Sequence, residues 1–188
     1  MCALPASIRA TTHHQSQVLT PPFPSVTLKH SVNATDEALG ALQALSGGDM
    51  RRSLNLLQST WLAQREVAVD CVGAPISADD VYTTAGQPRP ADVEGVAHAL
   101  LNSPFSAALH ALRALQAARG VALGDVTRAL LPWVMRLHVD AAHKAALVEA
   151  LADVEARLAY VTGDKVQQAA VVGAFASVRA HIVTAARA

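Results

Sequence analysis

Aromatic residues make up only 4% of this 188-residue chain, although 52% of it is hydrophobic. The apolar content is therefore mostly Ala, Val and Leu. That mixture favours helices packed closely through small side chains over a β-sandwich, which draws on more aromatic and β-branched residues. Cysteine is equally scarce: Cys2 and Cys71 lie far apart and in no Cys-x-x-Cys arrangement. This argues against a disulfide framework or a zinc ribbon and fits two reduced thiols in an intracellular protein. No charge of either sign prevails, since Lys+Arg and Asp+Glu both number 15. A neutral chain has no general attraction to DNA or acidic lipid, so any role near nucleic acid must come from local patches or partner subunits. No stretch approaches the roughly 18 consecutive apolar residues of a membrane span. The richest, Ala169 to Val178, reads as a buried helix face.

Several catalytic patterns are missing as well. The eight histidines include His13-His14, His98, His110, His138, His143 and His181. They form neither HExxH nor a pair of ExxH motifs, so structural or surface roles are expected and no metal site is. The phosphate-cradling GxxxxGK[ST] is absent. Asp36-Glu37-Ala38-Leu39 echoes an acidic magnesium box, but the preceding His30 to Thr35 is no buried hydrophobic strand. A helix's first turn accounts for it better. G-x-S-x-G does not occur, and Cys71 has no His nearby in sequence. Composition and spacing alone end at an all-helical protein.

What is present divides unevenly. Residues 1–31 contain no Asp or Glu and are rich in Ser, Thr, His and Pro, including Pro21-Pro22-Phe23-Pro24. They follow neither helical nor strand periodicity, so disorder or loose attachment is expected. A transit peptide is the alternative, but only Arg9 and Lys29 supply full positive charge and no amphipathic basic helix is visible.

Helices follow. Thr35 is a plausible N-cap with Asp36 and Glu37 in the first turn, and Leu39, Leu42 and Leu45 form a stripe ended by Gly47-Gly48. A second helix starts at Asp49, with Met50, Leu54, Leu57 and Trp61 on one side and Arg51, Asn55 and Gln58 on another. Arg65 to Pro75 reads as a connector in which Val67, Val69 and Val72 form a short extended piece, and the domain boundary is placed near Ala74. Ser77 and Asp80 resemble a capping box opening a short helix stopped by Gly86. Helices are then expected from Pro90 to Leu101, Pro104 to Ala118, and Asp125 to Arg136, the last kinked or broken at Pro132. Ala141 to Tyr160 carries Leu147, Leu151, Val154 and Leu158 and ends by Gly163. Asp164 caps a final helix whose stripe is Val171, Phe175, Val178 and Ile182. The expected fold is all-α without a fixed repeat.

Gly48-Asp49-Met50-Arg51-Arg52-Ser53-Leu54-Asn55-Leu56-Leu57-Gln58 resembles the sensor-2 helix of replication factor C small subunits, the AAA+ clamp loaders. Further motifs follow in order. Asp80 to Pro88 is similar to that family's VYxxTGxP signature, with Ala85 in place of Thr, and Leu100 to Phe105 resembles WLLNxxF. Gly120 to Asp125 looks like KGLALxDI, Ala152 to Leu158 like ADIEYRLS, and Asp164 to Gln167 like the start of NDKLQL. The resemblance covers about Val32 to Ala186.

It implies a partial AAA+ helical lid at 32–74 and a five-to-six-helix collar, the oligomerisation domain, at 75–188. It implies that Arg51 is the sensor-2 arginine, with Met50 a weak nucleotide contact, and assigns no catalytic residue or metal ligand. A guanidinium on a movable lid offers planar, multidentate donors to the γ-phosphate, and losing that contact lets the lid swing. The full-length family uses ATP and Mg, neither of which this chain alone is expected to bind. Implied partners are the other replication factor C subunits through the collar, and the sliding clamp and primer–template DNA through the complex. The implied location is the nucleus, with no membrane role. The family's ATPase domain, with its P-loop, acidic box, sensor 1 and Ser-Arg-Cys finger, has no counterpart here. The residues before Val32 match nothing in the family, so either the head is non-native sequence from a gene model or the chain is a truncated product; its composition favours the first. Two other readings stay open: a helical adaptor outside any clamp loader, and an organellar or bacterial-type loader subunit.

Overall fold

The computed structural model describes residues 32–67, 75–160 and 163–185. Among them every named element is a helix, and extended backbone pairs in an isolated parallel bridge between Ala34 and Ile76. The all-α expectation holds. The described residues form two compact units that divide between Gln87 and Pro88.

The first unit holds α1 (Asp36–Ser46), α2 (Met50–Val67) and α3 (Ala78–Ala85). Thr35 caps α1 with its hydroxyl, which accepts from the Ala38 N–H at 3.2 Å and donates to the Ile76 carbonyl at 3.2 Å. The main chain reinforces this: the Thr35 N–H donates to the Ile76 carbonyl at 3.0 Å, and the Ile76 N–H to the Asn33 carbonyl at 2.9 Å. Gly47 ends α1 with φ +61° and Gly48 follows at +92°, the left-handed region that favours glycine. Asp49 then caps α2, its Oδ1 accepting from the N–H groups of Arg51 at 2.9 Å and Arg52 at 3.2 Å.

The core of this unit joins Ala38, Ala41, Leu42, Leu57, Ile76 and Val81. The face of α2 turned into it differs from the expected one. Ser53 and Thr60 are buried beside Leu57, whereas Met50 is exposed. Their hydroxyls are satisfied within the helix: Ser53 donates to the Asp49 carbonyl at 3.0 Å and Thr60 to the Leu56 carbonyl at 2.8 Å. Back-bonding of this kind lets small polar residues occupy a close helix contact without an unpaired group.

The Ser77–Asp80 capping box forms in full. Asp80 also accepts from Gln64 of α2 at 3.0 Å. α3 thus belongs with α1 and α2, and the first unit runs on to Gln87 beyond the boundary expected near Ala74. The reason is packing: Ile76 and Val81, both fully buried, complete the core around Leu42. α2 extends through Val67, so that residue is helical where an extended piece was expected. Val69 and Val72, like the whole head 1–31, lie outside the described residues.

The second unit holds α4 (Pro90–Asn102), α5 (Phe105–Arg119), α6 (Leu123–Arg136), α7 (Ala141–Leu158) and α8 (Asp164–Ala185). α8 packs on α4, α5 and α7, while α6 packs on α4 and α7. Leu100, Leu112, Leu123, Leu130, Val134, Leu147, Val154 and Phe175 form the fully buried centre. α6 starts two residues ahead of Asp125 and continues through Pro132 without a break. α7 ends at Leu158, short of the expected Tyr160.

Two polar devices tie α8 to the rest. Arg179 donates to the carbonyls of Leu101 and Ser103, closing the α4–α5 turn. Gln168, almost wholly buried, accepts from Arg113 Nε at 2.9 Å and donates to Gln116 Oε1 at 2.9 Å.

Candidate nucleotide-sensing helix and assembly surface

Arg51 and Arg52 stand in the first turn of α2, where two left-handed glycines and the Asp49 cap fix the direction in which the helix leaves α1. Both side chains are exposed. Their main-chain N–H groups serve Asp49, and neither guanidinium has an ion pair or side-chain hydrogen bond among the described residues. Arg51 is therefore free to meet an anion, at the helix end where the dipole adds to that preference. Met50, the other sequence-derived candidate, is 36% exposed and sits one residue before it. Consecutive helical residues diverge by about 100° around the axis, so Arg51 and Arg52 serve different faces.

The sequence leaves Arg52 as structural or directed toward a neighbouring subunit, and the structure gives it a definite place. It lines a cavity of about 280 Å³ with Asn55, Leu56 and Ser59 of α2, Leu45 of α1, and Ala85 and Gln87 at the end of α3. Residues 52, 55, 56 and 59 follow helical spacing, the one signal that could have grouped them. Leu45, Ala85 and Gln87 come from elsewhere in the chain and carry no such signal.

Among the described residues no cluster of three His, Cys, Asp or Glu could hold a metal ion. His98 packs edge-on to Trp133 with ring centroids 6.1 Å apart, and His143 Nδ1 lies 3.9 Å from Asp140 Oδ2. No helix of the described residues is long and apolar enough to cross a membrane.

Among the described residues, two ionisable groups are displaced from their ordinary range. Burial raises the Tyr82 hydroxyl, which lies on α3 against the first unit's core. The hydrogen bond from Arg128 Nε to Glu155 Oε1, at 2.7 Å, raises the Arg128 guanidinium at the surface between α6 and α7. Beside Arg128 along α6, Leu131 and Met135 are 40% and 57% exposed, one helical turn apart. Tyr160 and Val166 are exposed at the α7–α8 end. The second unit thus presents large apolar side chains that its own core does not use.

Residues 88–174 match the replication factor C C-terminal domain, and the match begins where the second unit begins. Replication factor C subunit 5 of Arabidopsis thaliana is 34% identical over 165 residues, covering 85% of this chain and 44% of the relative. Replication factor C subunit 3 of Oryza sativa subsp. japonica is 34% identical over 164 residues, with coverages of 85% and 43%. Replication factor C subunit 5 of Homo sapiens is 31% identical over 170 residues, with coverages of 90% and 47%. The chain spans rather less than half the length of these relatives.

Proposed function

Because this chain belongs with the replication factor C small subunits, whose C-terminal domain it carries, we propose that it works as the assembly part of a clamp-loader subunit. In this reading the second unit is the collar, and it packs against other replication factor C subunits. The observation that carries it is the agreement between the matched domain and the compact unit beginning at Pro88, whose surface exposes Leu131 and Met135. Through the complex the chain would contribute to placing a sliding clamp on primer–template DNA, in the nucleus, during replication and repair. Its place in the ring would be that of the subunit numbered 5 in animals and 3 in budding yeast.

The first unit is part of the lid in this proposal, and Arg51 is its sensor 2. The donor chemistry fits one part of a nucleotide: an unpaired, exposed guanidinium at a capped helix N-terminus suits a terminal phosphate. A phosphate-cradling loop with its lysine, which ATP and Mg require in such sites, is not encoded in this chain. We assign no ATP chemistry to the residues of this chain.

Co-expression of the chain with the four other subunits tests the assembly reading. Co-purification with at least one of them is the expected outcome, and failure with all four refutes it. A homodimer in light scattering, formed without any loader subunit, would favour the helical-adaptor alternative, which the exposed α6 residues also suit.

A further inference from the structure

We propose that the cavity at Arg52 is a receptor for a carboxylate-bearing side chain presented by a protein partner. This stands apart from the sensor reading of Arg51, which leaves α2 on another face. One guanidinium, two amides and a hydroxyl (Arg52, Asn55, Gln87 and Ser59) share a cavity of about 280 Å³ with Leu45, Leu56 and Ala85. The guanidinium has no ion pair or side-chain hydrogen bond among the described residues, so its five donors are available in a fixed fork.

The surroundings decide which anion fits. The C-terminal ends of α1 and α3 lie beside the cavity and favour positive charge, a need that Arg52 itself meets. The carbonyls of Tyr82 and Thr83 in the last turn of α3 are already taken by the N–H groups of Gln87 and Gly86. Arg52 is exposed, and no acceptor on the protein competes for its guanidinium among the described residues. A nucleic-acid backbone is a poor candidate, because the described residues up to Gln87 carry three arginines, no lysine and six acidic residues. A phosphate strand needs cations all along its path, and this unit offers too few, whereas a single carboxylate needs only the one that Arg52 supplies. The three apolar side chains are suited to methylene groups. A glutamate side chain supplies both parts, apolar stem and carboxylate, and the neighbouring amides and hydroxyl can satisfy its second oxygen.

The test uses the full chain and side-chain amide NMR signals of Asn55 and Gln87. Three probes are titrated: N-acetylglutamate methylamide, its glutamine counterpart, and inorganic phosphate. The glutamate probe is expected to shift both signals with a midpoint of about 1 mM, a fair value for so small a ligand. The glutamine probe should bind about ten-fold more weakly, as should the glutamate probe to Arg52→Gln. Arg52→Lys, which keeps the charge but loses the fork, should fall between. Equal binding of both peptide probes, tighter binding of phosphate, unchanged binding to Arg52→Gln, or no shift at all would each overturn the proposal. Because Arg52 is exposed, both variants should retain the parent's circular dichroism, and Ser59→Ala gives a second, independent perturbation of the same cavity.

Discussion

Arg179 of α8 donates a hydrogen bond to the main-chain carbonyl of Leu101 at 3.2 Å, joining positions 78 residues apart. The same guanidinium nitrogen also serves the Ser103 carbonyl. Arg179→Ala would leave these turn carbonyls without their charged donor and should destabilise the second unit by about 1.5–3 kcal/mol. Urea denaturation followed by Trp133 fluorescence in a Trp61→Phe background measures it. An effect below about 0.5 kcal/mol would mean that water replaces Arg179 at no cost.

The division between Gln87 and Pro88 makes a matching prediction for the first unit. Ile76 and Val81 are fully buried there. Ile76→Ala should cost about 2–5 kcal/mol, read through Trp61 in a Trp133→Phe background. The unfolding midpoint of the second unit, followed through Trp133, should stay where it was.

Alkaline pH should act on the first unit through Tyr82. Burial raises its folded pKa above the ordinary value of 10.0, so the folded state holds its proton more tightly than the unfolded chain. The resulting contribution is fully present below the unfolded pKa and is lost as pH rises through the folded one. Stability read through Trp61 should therefore decline above about pH 10. Tyr82→Phe should flatten that decline, and an unchanged slope would rule out Tyr82 as its source.

Arg51→Ala should leave the fold within about 0.5 kcal/mol of the parent, because the side chain is exposed and meets no described partner. In a loader assembled with a complete set of ATPase domains, the same change should weaken the response to nucleotide. Normal nucleotide response in that assembly would end the sensor-2 proposal, whatever the stability data show.

Local chemistry made much of the fold legible. Thr35, the glycines at 47 and 86, and the Ser77–Asp80 box mark helix ends through side-chain hydrogen bonds or left-handed backbone, and all act where expected. The stripe Val171, Phe175 and Val178 reads directly as a buried face. The inward face of α2 was harder to read. Ser53 and Thr60 count as polar in any periodicity, yet their bonds to preceding carbonyls make them fit for burial. The unit boundary was hidden for another reason. Thr35 and Ile76 are 41 positions apart, and nothing in the composition of Arg65 to Pro75 indicates that the chain returns to pair with its earlier segment. The Arg52 cavity combines three helices, so only its α2 part leaves a trace in the sequence.

The position of Phe175 has a consequence during synthesis. This fully buried ring lies on α8, the last of the described helices, yet it sits in one core with Leu100 and Leu112. A ribosome makes α4 to α7 before it makes α8, so those four helices must wait in the exit region with their shared apolar face unfinished. The first unit, whose core closes at Val81, can settle while the second is still being translated. The interval between the two is when the nascent chain has most need of a chaperone or of an early partner to cover the exposed side of α4 and α5.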